Sequence, residues 1–255
     1  MRSLLLASLL LLPAVAMADE EHCQFHADRS LDLDLRGVRT IRFATNSHDL
    51  HLSGGAASGK GTVRGRACAS DEKALHNLVV TQQRDGDTLL VELSNKRDGW
   101  SGFGSHYAYL KVEASVPADV PVLLDVGSGD ATVTGVTLQE GNIGSGDLEA
   151  RDVTGPFRGK VGSGDLKMDG TGPLDIASVG SGDFTARRVK GGVRIGSVGS
   201  GDAKLIDVAG NVAIGTLGSG DLDVDGVRGD LSVRSVGSGD VDHKGVTGKV
   251  DVPRN

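Results

Sequence analysis

The chain has 255 residues, of which 38% are hydrophobic, 24% charged and only 3% aromatic, and 39 are glycine. Eight aromatics are too few for a conventional enzyme core of this length; collagen is excluded because the glycines do not fall at every third position, and recurring valine and leucine with only six prolines speak against disorder. The formal charge of −7 argues against a nucleic-acid binder, which needs a basic face.

In chain order, Arg2 is followed by an apolar run from Leu4 to Val15 and then by Ala16-Met17-Ala18. A basic start, an apolar stretch and small residues before Asp19 make residues 1–18 a secretory signal peptide. About 14 apolar residues fall short of the roughly 20 that a membrane-spanning helix needs. No later segment is long enough either. The expected protein is therefore periplasmic or secreted and does not span a membrane.

Cleavage removes Arg2 and leaves 26 basic against 34 acidic residues. Cys23 and Cys68 then form an even pair in an oxidising compartment, which points to a disulfide rather than a metal site. Closing a loop of this length is worth roughly 3–4 kcal/mol. His22-Cys23-x-x-His26 has some look of a metal motif, but spacing alone is weak evidence. His48, His51, His76 and His106 lie in the same part of the chain.

Residues 19–126 are expected to be an irregular β-rich cap with degenerate first coils. Asn46-Ser47-His48-Asp49-Leu50-His51-Leu52-Ser53-Gly54 echoes the motif that dominates the second half. Ser70 can cap a short helix over 71–77. Asn77–Gln83 and Thr88–Leu93 flank Arg84-Asp85-Gly86-Asp87, a hairpin turn. Trp100, Phe103, Tyr107 and Tyr109 form the one aromatic-rich stretch. It is either a loop contacting a glycan or protein partner or packing that hides apolar cap surface. Tyr107–Val116 and Val120–Val126 read as strands leading into the repeats.

From residue 127 to 255 the chain is a repeat. Gly-Ser-Gly-Asp begins at 127, 144, 162, 180, 199, 218 and 237, at offsets of 17, 18, 18, 19, 19 and 19. After each aspartate comes an apolar residue: Ala131, Leu148, Leu166, Phe184, Ala203, Leu222 and Val241. Two positions on lies a second row, Val133, Ala150, Met168, Ala186, Leu205, Val224 and finally His243. Between them stand Thr132, Glu149, Lys167, Thr185, Lys204, Asp223 and Asp242. This period of two is that of half-buried strands. No unit can bury its own apolar row, so units must stack and share a core. The predicted fold is all-β: a parallel β-helix, or β-solenoid, of about seven coils of 17–19 residues, right-handed by the usual crossover preference. Small aliphatics suit so narrow an interior.

The flanking glycines are expected to supply backbone angles denied to other residues. The serines are expected to point into or along the corner, and the aspartates to face out or fold back onto turn amides. Asp130, Asp147, Asp165, Asp183, Asp202, Asp221 and Asp240 would then be a structural turn ladder. Like charges about 4.8 Å apart repel by roughly 0.9 kcal/mol per pair even in water, so something must offset them. Calcium is the sharper alternative. It fits poorly, because calcium solenoids use a nonapeptide with two turns per coil. The repeats carry no insertion, no HExxH and no serine–histidine–aspartate order, so no catalytic residue, metal site or cofactor is assigned.

Seven Gly-Ser-Gly-Asp-apolar units behind a signal peptide and an irregular β-rich segment resemble the "putative adhesin" domains of bacterial envelope proteins, related to the head GIN domain of autotransporter adhesins. The resemblance implies an exported parallel β-helix and carries no catalytic residue with it. The expected function is non-enzymatic adhesion, binding or scaffolding in the cell envelope through the extended outer faces. The partner is unknown, with envelope glycan or protein the candidates. The alternative is a carbohydrate-active enzyme, a lyase or hydrolase, with convergent acids beside an aromatic platform near 97–109. A final coil without a capping helix or disulfide leaves room for end-to-end self-association.

Overall fold

The computed structural model describes residues 23–96 and 107–253. The expected signal peptide, His22, Trp100, Phe103 and His106 lie outside the described residues. The N-terminal part supplies β1 (Phe25–Asp34), β2 (Thr40–Ala44), β3 (Asp49–Gly54), β4 (Lys60–Ala69), α1 (Glu72–Asn77), β5 (Leu78–Asp85), β6 (Thr88–Asn95), β7 (Ala108–Val116) and β8 (Pro121–Val126). The repeats supply β9 (Ala131–Thr134), β10 (Thr137–Ile143), β11 (Leu148–Arg151), β12 (Phe157–Val161), β13 (Leu166–Thr171), β14 (Leu174–Val179), β15 (Phe184–Val189), β16 (Val193–Val198), β17 (Ala203–Val208), β18 (Val212–Leu217), β19 (Leu222–Val227), β20 (Leu231–Val236), β21 (Val241–Val246) and β22 (Val250–Asp251).

Two eleven-stranded sheets face each other. One runs β1-β4-β7-β3-β9-β11-β13-β15-β17-β19-β21 and the other β22-β20-β18-β16-β14-β12-β10-β8-β2-β6-β5. Each coil of the repeat gives one strand to each sheet, and every repeat strand pairs in parallel with its counterpart one coil away. The period-two pattern puts Leu148, Leu166, Phe184, Ala203 and Leu222 in one buried column and Ala150, Met168, Ala186, Leu205 and Val224 in the next. In two adjacent coils the columns trade volume. Phe184 stands with Ala186, and Ala203 with Leu205, so the larger side chain changes column from one coil to the next. Phe157 is likewise accommodated by glycine, since a β-carbon on Gly141 or Gly159 would strike its ring.

The N-terminal part departs from simple stacking. The coil made by β2 and β3 is wedged between β6–β7 on one side and β8–β9 on the other. Strand β2 pairs in parallel with both β6 and β8, and β3 with both β7 and β9. On the outer face, Arg42 of β2 donates to Asp125 of β8 at 2.6 Å and lies 3.8 Å from Glu140 of β10. Beyond the wedge the pairing turns antiparallel, with β1 on β4, β4 on β7 and β5 on β6. The β5–β6 hairpin turns at Gly86, whose φ of +60° is left-handed. Helix α1 contacts β1, β4 and β5 at this end. Its cap is Asp71 rather than the expected Ser70: Asp71 Oδ1 accepts from the Ala74 amide at 2.8 Å, as a carboxylate one residue nearer the helix can do.

At the other end the pattern thins out. His243 takes the register position of buried Val224 but is exposed, and β22 is only two residues long. An edge strand with Asp242, His243 and Lys244 and a very short partner is a poor template for further pairing.

Candidate functional site

Each coil has two corners of different character. At the Gly-Ser-Gly-Asp corner, the amides of the serine and second glycine both approach one carbonyl of the coil before. Ser145 N and Gly146 N donate to Gly127 O at 2.8 and 2.9 Å, and Ser163 N and Gly164 N to Gly144 O at 2.7 and 3.2 Å. The aspartate ties the next coil in turn. Oδ1 of Asp130 accepts from the Asp147 amide at 3.0 Å, and the same bond runs from Asp147 to Asp165, Asp165 to Asp183, Asp183 to Asp202, Asp202 to Asp221 and Asp221 to Asp240 at 2.8–2.9 Å. The amide dipoles hold the row of carboxylates together. Lys167 lies 3.6 Å from Asp165 Oδ2.

Two expectations at this corner are corrected. The flanking glycines do not have positive φ; the left-handed glycines are elsewhere in the coil. They are glycine because the coils stack too closely: a β-carbon on any of the fourteen would sit under 3.0 Å from backbone of the coil before. The seven serines do not turn inward. All are exposed, and the corner is bonded through their amides.

The ladder also begins one rung earlier than the seven repeated aspartates. Asp49 Oδ1 accepts from the Asp130 amide at 3.1 Å, in the coil the sequence echo pointed to. His48 occupies the second glycine's place in this rung and is buried. Its Nδ1 accepts from the Leu110 amide at 3.3 Å, and burial lowers its pKa. A shorter ladder went unread in the sequence: Asn211 Oδ1 accepts from Asp230 N at 3.0 Å and Asp230 Oδ1 from Lys249 N at 2.8 Å. Its signal is an Asn/Asp pair 19 residues apart.

The opposite corner, at the ends of β9, β11, β13, β15, β17, β19 and β21, is built differently. Gly135, Asp152, Gly170, Arg188, Asp207, Gly226 and Gly245 stack in one column, and all have φ between +50° and +75°. Side chains occur here where the adjacent coil has glycine: Asp152 Oδ1 lies 2.7 Å from where a β-carbon on Gly170 would stand, and Asp207 Oδ1 3.2 Å from one on Gly226. The Arg188 guanidinium turns back to Asp169 at 3.0 Å and Asp152 at 3.9 Å.

Cys23 and Cys68 are bonded, with Cα atoms 5.6 Å apart, which ties the start of the described chain to β4. Of the aromatic stretch, Tyr107 and Tyr109 are described. Their rings lie 6.3 Å apart, Tyr107 Oη accepts from the Gln24 amide at 2.9 Å, and Lys111 Nζ sits 5.7 Å from the Tyr109 ring. The Tyr107 contact joins the aromatic stretch to the segment beside the disulfide. Nearby, on the outer face of β1, β4, β7 and β3, a shallow dish of about 470 Å³ is lined by Asp28, His51, Arg64, Arg66, Lys111 and Glu113. Arg64 and Arg66 of the intervening strand separate its two carboxylates, Asp28 on β1 and Glu113 on β7. Asp223 and Asp225 pair with Lys204 and Lys244 across neighbouring strands. Among the described residues, no group of three or more His, Cys, Asp or Glu side chains is placed to hold a metal ion, and no helix is long and apolar enough to cross a membrane.

No family model and no curated protein matches the chain. Solved structures do. A "putative adhesin" from Parabacteroides distasonis matches at 15% identity and a TM-score of 0.45, covering 88% of this chain and 97% of its own. A "putative adhesin" from Bacteroides fragilis matches at 15% and 0.42, covering 88% and 96%. A "putative lipid binding protein" from Parabacteroides distasonis matches at 15% and 0.38, covering 88% and 96%.

Proposed function

We propose that the chain is an exported, non-enzymatic β-solenoid that binds or scaffolds components of the bacterial envelope through its outer faces. In this reading residues 1–18 are the signal peptide, 19–126 the capping part and 127–255 the repeat. The observation that carries it is the use made of the repeated residues. Gly-Ser-Gly-Asp directs its aspartates and amides at neighbouring coils, so the motif that looks most like a site is taken up by stacking. What remains for a partner is the outer surface, where both signs of charge alternate across strands, as in Glu140, Arg158, Asp175 and Arg194. The disulfide supports export, because such bonds persist in oxidising compartments. Tyr107 and Tyr109 are candidate partner contacts at the capped end.

The test is retention of residues 19–255 on purified envelope polysaccharide and peptidoglycan, with release of reducing ends or unsaturated sugars followed in the same samples. Retention without turnover is expected. Turnover would overturn the reading in favour of a carbohydrate-active enzyme, and absence of retention would remove the envelope-binding role.

A further inference from the structure

We infer that the left-handed corner carries a binding groove for an acidic polysaccharide with a carboxylate on alternate sugars; this rests on the envelope-binding reading and names its ligand class. Along that corner runs an open groove of about 560 Å³, within the range of ligand sites. Beside the left-handed column lies a second one in which Lys190, Ala209 and Arg228 occupy the same place in successive coils. Their amides show the register: Lys190 N donates to Thr171 O, Ala209 N to Val189 O and Arg228 N to Val208 O.

The two cations are two coils apart, about 10 Å along the axis. Ala209 leaves the position between them without a charge. Both are exposed, and neither has an ion-pair partner among the described residues, unlike Arg188, which is held by Asp169 and Asp152. Lys190 and Arg228 are thus free to meet anions in a protein whose net charge is −7.

The floor suits a sugar chain. Past Asp207 the column continues as Gly226 and Gly245, so no side chain rises from the floor over two coils. Asp207 Oδ1 lies at the edge of that floor, 3.2 Å from where a β-carbon on Gly226 would stand, and can accept from sugar hydroxyls. Cations two coils apart with a carboxylate acceptor between them match a polymer that alternates acidic and neutral sugars. A nucleic acid is a poorer fit, since no aromatic side chain lines the groove for base stacking.

The experiment is fluorescence anisotropy with a labelled hyaluronan oligosaccharide, an acid-on-alternate-sugars probe, at low and moderate salt. Residues 19–255 should bind it, more weakly as salt rises. The double variant Lys190→Ala/Arg228→Ala should lose affinity about tenfold or more with an unchanged melting midpoint, since both side chains are exposed. The variant Arg64→Ala/Arg66→Ala, which removes the cations of the outer dish, should bind as the parent does. The groove is overturned if the parent does not bind hyaluronan, if the first variant binds unchanged, or if only the second loses affinity. Equal binding of poly-glutamate would also overturn it, because charge alone would then be recognised. The two readings fail separately: if the groove variant retains envelope material as well as the parent does, the envelope-binding role stands and the groove does not, whereas hyaluronan binding without retention of envelope material would leave the groove and remove the envelope role.

Discussion

The two corners of each coil follow opposite rules. At one, four residues recur seven times, and the corner is bonded from coil to coil: glycine makes room, the serine amide donates and the aspartate Oδ1 accepts, while the serine side chains stay exposed. At the other, the shared property is a left-handed backbone, and the residues that adopt it are glycine, aspartate or arginine. Repetition within this chain thus marks where coils press on one another, whereas variation marks where they face solvent. The corner that dominates the sequence is for that reason the less promising one for a ligand.

The sharpest way to break the contrast is to place a methyl group at each corner. Gly182→Ala puts a β-carbon against the carbonyl of Gly164. It should destabilise by about 3 kcal/mol or more, because backbone cannot move aside as a side chain can. Gly226→Asn, at a left-handed φ of +75° in a column where Asp207 and Arg188 stand at +55° and +50°, should cost about 1 kcal/mol or less. Urea denaturation of both variants measures the difference, and equal losses would erase the distinction.

Next in size is the aspartate ladder. Asp165→Ala strands the Asp183 amide and should cost about 2 kcal/mol, since that bond has a charged acceptor. Asp240→Ala is the internal control, because among the described residues no amide donates to its carboxylate; its loss should be within about 0.5 kcal/mol. Unfolding midpoints that fall equally would show that the carboxylates act through something other than the neighbouring amide.

Smaller again is the effect at His48, where a side chain fills the second glycine's place. Burial holds its folded-state pKa below the ordinary 6.5. The unfolded chain therefore binds the proton more readily. Stability is fully present above 6.5 and declines as pH falls from there toward the folded value. His48→Gln should flatten this part of the pH profile of the melting midpoint, and an unchanged profile would show that His48 is not its source. The smallest effect expected is that of calcium. With Oδ1 of each inner aspartate already engaged, adding calcium or chelating it should leave the midpoint unmoved, whereas a large rise would make the ladder a metal site.

Much of the repeat is readable from residues alone, because its causes are local. Period-two rows name the buried positions, and a tetrapeptide at fixed spacing names the stack. The echo at Asn46–Asp49 even locates the first rung. What fails to show has non-local causes. Nothing in Thr40–Ala44 says that it will lie between β6 and β8, since the pattern of a strand does not name its neighbours. The reason for the corner glycines is not legible, because a required backbone angle and a close approach leave the same residue in a sequence. The left-handed column leaves no sequence signature, because its members share a conformation rather than an identity.

The wedged coil bears on a hazard that identical repeats create. A stack that slips by one whole unit would still match glycine to glycine and aspartate to aspartate, so the repeats by themselves define no starting point. Residues 40–54 supply one. Their corner reads Asn46-Ser47-His48-Asp49, with a bulky ring where each repeat has glycine, and Arg42 fastens them to Asp125 and Glu140 from outside. The seat is completed by β6 and β7 on one side and by β8 and β9 on the other. A duplication or deletion of one unit would then lengthen or shorten the rod by about 4.8 Å while every remaining coil keeps its frame.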